Sequence, residues 1–455
     1  MTGAPEVGAV VVGAGIAGLA AALELQSTTG EVVVIDASDR PGGVLRTDHI
    51  SGYVIERGPN TLQVKAPVLG LLRGRKLESS LVRADSESRR RFLFRDGRLE
   101  PVPMSPLAFV RTPLLTARGK LRLLAEPFVR RRHVTGESVA EFTGRRLGAE
   151  AVGSLVGPFL TGVYAGDEEQ LGAEAVFGSL VELERRYGSI ALGGLLARRP
   201  RSERGLRGVY SAVEGLGPLA RKLSEQLVEP PALGSRVTAL RRDAIQWHVS
   251  VSGPGGDRRF RARRVVVATP AYAAAEILRG SGGEVADALA AIEYAPVVGI
   301  PLAVDPNEVR TPIEGFGFLV PRDAGIALLG TLFMSRMFRN RAPKGHELLQ
   351  CILGGRRWPE AIDLPDDVVI GQLLEDLERI LGLRAEPRAL AVTRWRRAIP
   401  QPDREHVRRI AGIRATLSGL PGIALAGAYL DGVSVADALA SGIRAARELG
   451  GDPSS

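Results

Sequence analysis

The sequence predicts an α/β fold with an added helical region, and three features of the 455-residue chain support this prediction. A short apolar run near the N-terminus leads into a glycine-rich turn and then into helix-forming residues. A strand–loop–helix pattern stands at the far end of the chain, and strand-like runs with one basic helical stretch lie between them. We expect the two ends to form one discontinuous domain.

The N-terminal segment has the pattern of a dinucleotide-binding turn. Residues 9–12 are all apolar, as in a parallel strand that is buried on both faces. Gly13 permits a tight turn, Gly15 lets the backbone approach a pyrophosphate, and Gly18 allows the next helix to pack closely on the strand. Free N–H groups at the start of that helix favour phosphate.

A second apolar run follows the helix and ends on an acidic residue. The run covers residues 32–35, and Asp36 lies eighteen residues after Gly18. From that position a carboxylate accepts hydrogen bonds from a ribose diol. The order of strand, turn, helix, strand and acid predicts a dinucleotide site, but it leaves NAD and FAD open.

The residues after this acid favour FAD. Arg40, Gly42 and Gly43 resemble the second phosphate-contacting segment of the FAD amine-oxidase-like superfamily, and Val44 and Arg46 continue that segment. A flavin dinucleotide lies extended across its domain and needs a second loop that its phosphates and ring can approach closely. We therefore expect FAD as the cofactor.

The C-terminal segment is expected to complete the same site. An apolar run ends on Gly427, and Val433, Ser434 and Val435 open an alanine-rich helix. In the same superfamily such a helix begins at the flavin, where its dipole stabilises negative charge on the reduced ring. The cofactor would then be held by both ends of the chain.

The middle of the chain predicts strands that return to this domain. Residues 236–240, 246–251 and 264–268 have strand patterns around a glycine- and proline-rich turn. The resemblance to the superfamily places backbone groups of Val237 near the adenine and counts Ala268 among the cofactor-binding residues.

Residues 104–132 alternate apolar side chains with arginine and lysine and end in three consecutive arginines. A basic, amphipathic, proline-broken stretch suits the plane of an anionic membrane. A solvated helical subdomain with its apolar face packed inward fits the pattern equally well. The sequence shows no secretory signal and no apolar run of about 18 residues, so we expect a cytoplasmic protein that can lie against a membrane.

Composition limits the chemistry and the partners. The 60 basic residues exceed the 51 acidic ones and give a net charge of +9, which attracts anions such as carboxylates and acidic lipids. Nucleic acid is not expected as a partner, because aromatic residues make up only 5% of the chain. One cysteine and five scattered histidines argue against a metal site.

With these motifs in place, the chain resembles the oxygen-dependent protoporphyrinogen oxidases over essentially its whole length. The resemblance is carried by residues 56–61, 158–167, 315–321, 330–333, 398–401 and 427–435. It implies FAD-dependent, six-electron oxidation of protoporphyrinogen IX to protoporphyrin IX in haem synthesis, with O₂ as the electron acceptor. The cofactor carries out the difficult step, so no catalytic side chain is expected.

The resemblance also implies three domains. The FAD-binding domain would comprise residues 1–85, 189–272 and 413–455. A helical membrane-binding domain would cover residues 86–188, and a mixed-sheet substrate domain would cover residues 273–412. The oligomeric state is left open, with a homodimer as one option.

Site residues are carried over from the family motifs one position at a time. Gly58, Pro59 and Asn60 would lie beside the flavin. Arg91 would pair with a substrate propionate, with Arg95 as the alternative. The carbonyl group of Gly162 would face the pyrrole N–H groups, and the substrate ring would lie against Phe316, Gly317, Leu319, Leu332 and Ile399.

Several alternatives stay open. Coproporphyrinogen III oxidases share most of these motifs, and the sequence does not separate the two substrates. An amine oxidase of the same superfamily and a cofactor-free carrier like the GDP-dissociation inhibitors are further alternatives. A serine hydrolase is excluded, because no histidine follows His406 and the required residue order is absent.

Overall fold

The computed structural model describes residues 5–132, 134–197 and 205–450. Its strands are β1 (Glu6–Val12), β2 (Val32–Ile35), β3 (Thr47–Ile50), β4 (Tyr53–Glu56), β5 (Leu81–Arg83), β6 (Phe92–Arg95), β7 (Arg98–Pro101), β8 (Tyr210–Ala212), β9 (Arg236–Arg242), β10 (Trp247–Ser252), β11 (Arg258–Val267), β12 (Tyr294–Val304), β13 (Gly317–Leu319), β14 (Gly330–Phe333), β15 (Glu347–Gly354), β16 (Arg388–Ala389), β17 (Thr393–Pro400) and β18 (Ile423–Leu425).

Its α-helices are α1 (Ile16–Thr29), α2 (Ala66–Gly74), α3 (Pro106–Arg111), α4 (Ala117–Leu124), α5 (Val139–Leu147), α6 (Ala149–Ala151), α7 (Gly157–Tyr164), α8 (Ala173–Val176), α9 (Gly178–Tyr187), α10 (Ile190–Leu196), α11 (Leu216–Ser224), α12 (Ala271–Leu278), α13 (Gly283–Ala290), α14 (Met334–Met337), α15 (Asp366–Leu381), α16 (His406–Ser418), α17 (Ala428–Asp431) and α18 (Val435–Gly450).

One sheet unites the two ends of the chain. Its strand order is β2-β1-β11-β10-β9, with β18 also paired to β11, and β1 runs parallel to both β2 and β11. Helix α18 packs on α1 so closely that a Cβ atom on Gly442 would lie 2.0 Å from the carbonyl oxygen of Ala17. The N-terminal and C-terminal segments therefore form one domain, called here the first domain.

A second sheet has the order β16-β12-β15-β14-β13-β6-β7, with β17 paired to β12. One of its faces is a closed core, in which Ile300, Cys351 and Leu353 pack with Leu373 and Leu377 of α15. The opposite face is turned toward the first domain, because Leu332 of this sheet packs in one cluster with the β3–β4 hairpin.

The structure moves the expected domain boundaries. Strands β6 and β7 pair into the second sheet, so the segment 86–188 does not begin as part of the helical region. Helix α10 packs on α9 and therefore belongs with the helical region. Helices α12, α13 and α16 pack against the first domain rather than the second sheet. Packing partners decided these positions, and they are not encoded in local patterns.

The helical region is organised around buried charge. The Arg146 guanidinium is fully buried and pairs with the Glu126 and Glu184 carboxylates. Glu126 also accepts hydrogen bonds from the Ser189 hydroxyl group and from the N–H groups of Ile190 and Ala191 at the start of α10. No helix within the described residues has the length and apolar character needed to cross a membrane.

Candidate functional site

The three glycines of the glycine-rich turn differ in the space around them: two are required by the turn itself, and the third has free space beside it. Gly13 has φ +106°, and a Cβ atom on Gly18 would lie only 1.8 Å from the Gly13 carbonyl oxygen. Both positions therefore require glycine for the turn itself. A Cβ atom on Gly15 would have no heavy atom within 4 Å. The space beside Gly15 is thus free for a ligand, as the predicted pyrophosphate contact requires.

The predicted ribose acid is held at the end of β2. One oxygen of the Asp36 carboxylate accepts a 2.6 Å hydrogen bond from the N–H of Ala14, and the other accepts a 2.7 Å bond from the N–H of Ser38. The N–H of Ser235 donates to the Asp36 carbonyl group at 2.8 Å, which brings the start of β9, with Val237, beside this acid. Ala268 lies on the other side, against Gly13.

Arg40 supports the second loop from within. Its guanidinium group donates to the carbonyl oxygens of Gly43 at 2.8 Å and Leu45 at 3.0 Å, and burial lowers its pKa. The loop is thereby held against the glycine turn, where the N–H of Gly42 donates to the Ala14 carbonyl group at 2.8 Å. The Arg40 guanidinium therefore binds backbone carbonyl groups of the loop that contains it. The sequence predicts that this segment contacts phosphate.

The loop continues into a second close approach of two backbones. A Cβ atom on Gly58 would lie 2.0 Å from the carbonyl oxygen of Val44, so this position also requires glycine. The Val44 side chain is exposed, and Arg46 is exposed with its guanidinium 3.3 Å from Asp48. Pro59 follows Gly58 and is partly buried.

Several buried polar atoms beside these loops have no hydrogen-bond partner within the described residues. They include Oδ1 of Asn60 and Oγ1 of Thr269, the residue that directly follows Ala268. Buried polar groups are normally paired, so unpaired ones in a cleft indicate a missing ligand. Together with the open space at Gly15, these atoms fit an extended dinucleotide, and Asn60 and Thr269 would be among the residues that hold it.

The start of α18 is fixed by a capping box. The Ser434 hydroxyl group accepts a 3.1 Å hydrogen bond from the N–H of Asp437 and donates to the Asp437 carboxylate at 2.6 Å. The Lys65 ammonium group pairs with the same carboxylate. Val435, the first residue of α18, is buried, and the preceding loop turns at Gly427 with φ +155°. These hydrogen bonds cap the start of α18.

Helix α7 connects the start of α18 with the second sheet. Tyr164 is buried at its C-terminal end, and burial together with the nearby Asp437 carboxylate raises the pKa of Tyr164 to about 12. Two residues earlier, a Cβ atom on Gly162 would lie 2.5 Å from the Leu319 side chain. Ile399 and Val433 pack against the same cluster as Tyr164. The structure thus brings Gly162, Leu319 and Ile399, expected at the substrate, close to Val433, expected at the cofactor.

On the face of the second sheet that looks toward the first domain, most side chains are only partly buried. Opposite residues on paired antiparallel strands share a face. Leu332 lies opposite Gly317 and Gln350, and Ile352 lies opposite Gly330 and Gly299. Phe316 and Leu332 pack in the same cluster. We call this surface the slit face; its members are Phe316, Gly317, Leu319, Leu332, Gln350, Ile352, Gly299, Gly330, Thr393, Trp395 and Ile399.

The slit face directly contacts the loop that carries Gly58, Pro59 and Asn60, which we call the flavin-side loop. The indole N–H of Trp395 donates to the carbonyl oxygen of Arg57 at 2.8 Å, and Arg57 is the residue before Gly58. Glycines stand at three slit-face positions, and the side chains of Leu319 and Gln350 lie over two of them. The apolar side chains of this surface can hold a large apolar molecule beside the loop that would hold a flavin.

The two candidate arginines have different surroundings. Arg91 is exposed, and its guanidinium lies 4.8 Å from the centre of the Phe316 ring, with no ion pair to a described residue. The Arg95 guanidinium donates to the Leu114 carbonyl group at 2.6 Å and to the Ser154 hydroxyl group at 3.0 Å. Arg91 is therefore free to bind a carboxylate at the edge of the slit, whereas Arg95 anchors the helical region.

Sequence reasoning missed several residues of this site. Gln350, Thr393 and Trp395 were not singled out; alternation along β15 and β17 assigns them to one face of each strand but does not show that this face is open. Within the described residues there is no group of three or more histidine, cysteine, aspartate or glutamate side chains that could hold a metal ion.

Comparison with known proteins agrees with this geometry. The sequence profile of the family described as flavin containing amine oxidoreductase matches residues 16–450. The chain is 32% identical to the chloroplastic protoporphyrinogen oxidase of Nicotiana tabacum, over 98% of this chain and 86% of that protein. It is 30% identical to the coproporphyrinogen III oxidase of Bacillus subtilis (strain 168), over 95% of this chain and 96% of that protein.

Solved structures show the same fold. A protein from Exiguobacterium sp. 255-15 superposes with a TM-score of 0.81 at 25% identity, over 98% of this chain and 99% of that chain. Cyclohexylamine oxidase from Brevibacterium oxydans IH-35A superposes with a TM-score of 0.70 at 16% identity, over 98% and 99% of the two chains, and shares the fold alone. The chain belongs to the flavin containing amine oxidoreductase family and is a flavoprotein oxidoreductase whose cofactor is FAD.

Proposed function

We propose that this protein is a porphyrinogen oxidase that converts protoporphyrinogen IX to protoporphyrin IX, with O₂ as the electron acceptor. The observation that carries the proposal is the slit face, a largely apolar and partly buried surface beside the flavin-side loop, with Arg91 at its edge unpaired by the described residues. A porphyrinogen is a large apolar ring of four pyrroles joined by CH2 bridges, with carboxylates on its periphery. The names of the tobacco and Bacillus relatives support the same substrate class.

In this proposal the protein mainly binds and orients. When bound, FAD supplies the hydride acceptor. The apolar residues of the slit face hold the ring and exclude water, and Gly162 leaves room for close approach at Leu319. Arg91 binds a peripheral carboxylate, because its planar guanidinium suits that group and is otherwise unpaired by the described residues.

Coproporphyrinogen III is the second candidate substrate. The Bacillus relative carries that name and matches the chain at nearly the same identity as the tobacco protein. The two substrates share a ring and differ in the number of carboxylates, so the slit face can hold the ring of both.

One experiment tests the function and the choice of substrate. The purified protein is assayed under air with each porphyrinogen side by side, following porphyrin fluorescence and O₂ consumption. We expect bound flavin, turnover of both compounds and a higher kcat/KM for protoporphyrinogen IX. A higher kcat/KM for coproporphyrinogen III would identify that compound as the preferred substrate. A colourless protein without flavin would favour the carrier alternative.

We also propose that the helical region lies on an anionic membrane at the cytoplasmic face. Phe128 is 90% exposed and Leu195 is 84% exposed, although both side chains are apolar. Glu126 binds the start of α10, which places the element that carries Leu195 next to the turn that carries Phe128. The basic run at residues 130–132 follows directly and would attract acidic lipid headgroups.

Liposome sedimentation tests this membrane proposal. The variant with Phe128→Ser and Leu195→Ser should bind vesicles of phosphatidylglycerol and phosphatidylcholine several-fold more weakly than wild type. Ile245→Ser is the matched control, because Ile245 is 74% exposed but lies in the β9–β10 turn of the first domain. Equal partitioning of all three proteins would remove the proposal.

A further inference from the structure

Gln350 is a polar side chain in the middle of the apolar slit face. It is only 5% exposed. On β15 the neighbouring residues Leu349 and Cys351 face the closed core with α15, so Gln350 faces the opposite way. Its strand partners are Leu332 on one side and Pro301 on the other. The amide therefore lies beside a residue expected to contact the substrate ring.

The side chain of Gln350 makes no hydrogen bond with any described residue. A Cβ atom on Gly299 would lie 3.1 Å from the Gln350 Nε2 atom, so the amide lies in the space that Gly299 leaves by having no side chain. Thr393, which lies opposite Gly299, has a buried Oγ1 atom that is also unpaired in the described part of the chain. The Gln350 amide thus has hydrogen-bonding capacity that no described residue uses, and the unpaired, buried Oγ1 atom of Thr393 beside it points to a ligand at this place.

The chemistry of the proposed substrate supplies a suitable partner. A porphyrinogen carries four pyrrole N–H donors at its centre and no acceptor there, whereas its carboxylates lie at the periphery. An amide carbonyl oxygen accepts hydrogen bonds from N–H groups. Arg91 stands at the exposed edge, where a carboxylate would lie, and Gln350 stands further inside, where the ring centre would lie.

We propose that the Gln350 side-chain carbonyl group accepts a hydrogen bond from a pyrrole N–H of the substrate and positions the ring in the slit. This inference rests on the proposed function. It identifies Gln350 as a positioning residue that recognises the tetrapyrrole core rather than the number of carboxylates. The competing partner for the same amide is the flavin, and the two can be separated by experiment.

The test compares Gln350→Leu with Gln350→Asn and wild type, using both porphyrinogens as substrates. Gln246→Leu is the matched control, because that glutamine lies in the β9–β10 turn and its side chain makes no hydrogen bond to a described residue. We expect Gln350→Leu to raise the KM for the two porphyrinogens about 5- to 10-fold and by the same factor, with kcat changed less. Gln350→Asn should recover part of the loss.

A second measurement distinguishes substrate positioning from a structural role. The Gln350 side chain makes no hydrogen bond with a described residue, so replacing it with leucine removes no such bond, and the melting temperature of substrate-free Gln350→Leu should stay equal or rise by about 1–2 °C. The Kd for FAD, measured on the flavin-free protein, should remain that of wild type.

The outcomes separate the two levels of the proposal. If wild type oxidises neither porphyrinogen, the proposed function fails. If wild type is active and Gln350→Leu has an unchanged KM, this inference fails alone. A lower melting temperature of Gln350→Leu would show that the side chain stabilises the fold, and weaker binding of FAD would show that it contacts the cofactor. A raised KM for only one of the two porphyrinogens would show that it contacts the periphery of that substrate. Each of these results would overturn the inference.

Discussion

The pair of substitutions Gly15→Ala and Gly18→Ala tests how the glycine turn is built. At Gly15 the backbone has φ −65° and ψ 173°, which any residue adopts, and a new Cβ atom would meet no heavy atom within 4 Å. We therefore expect the flavin-free Gly15→Ala protein to keep its stability within about 0.5 kcal/mol. At Gly18 the new atom would lie 1.8 Å from a backbone oxygen, which cannot move without opening the turn.

Gly15→Ala should mainly weaken FAD binding, whereas Gly18→Ala should mainly reduce the folding free energy. In Gly15→Ala the methyl group fills the space of the pyrophosphate and weakens charge-assisted hydrogen bonds, each contributing about 1.5–3 kcal/mol. Such a loss weakens FAD binding about 10- to 100-fold. In Gly18→Ala the overlap should cost at least about 3 kcal/mol of folding free energy, whether or not FAD is present.

Two measurements on flavin-free protein check this reasoning: the thermal midpoint, and the Kd for FAD from quenching of flavin fluorescence. Gly70→Ala is the control, because a Cβ atom there also meets nothing within 4 Å, but the residue lies in α2 away from the turn. The reasoning is refuted if Gly15→Ala binds FAD as tightly as wild type, or if Gly18→Ala keeps the wild-type thermal midpoint.

Three further predictions follow from the surroundings of single side chains. Arg91→Ala should raise KM about tenfold with kcat little changed, whereas Arg95→Ala should lower the melting temperature; a reversed pattern in kinetics and thermal melts would exchange their roles. Burial raises the pKa of Cys351 to about 12, so the native protein should not react with a thiol reagent at pH 8, and rapid labelling would contradict this burial. Burial lowers the pKa of His406, so its unfolded state binds more protons and acidification below about pH 6.5 should reduce stability by at most about 1.4 kcal/mol per pH unit. The slope of unfolding free energy against pH should be smaller in His406→Gln, and an unchanged slope would exclude this histidine.

Local patterns were sufficient for the nucleotide-binding elements. The predicted run at residues 32–35 is β2 itself, and the glycine turn and Asp36 adopt the expected relationship. These features depend on neighbours within a few dozen residues: a buried strand, a turn that excludes Cβ atoms, and a carboxylate at a strand end. Short-range steric and hydrogen-bond requirements appear directly as residue types at fixed spacing.

Other features depended on which distant surfaces meet. The pairing of β6 with β13 joins segments more than 200 residues apart and moves the domain boundary. The different partners of Arg91 and Arg95 follow from that pairing, because one lies over Phe316 and the other contacts the helical region. Two arginines in one short segment carry no local sign of such a difference.

By itself the sequence determined the type of cofactor and the residues that the glycine turn requires, because those are local constraints on backbone geometry. Only the tertiary structure decided which face of the second sheet is open and that Gln350 lies on it without a partner. Alternation along a strand gives two faces, but burial of one face depends on helix α15, which is packed there by long-range contacts.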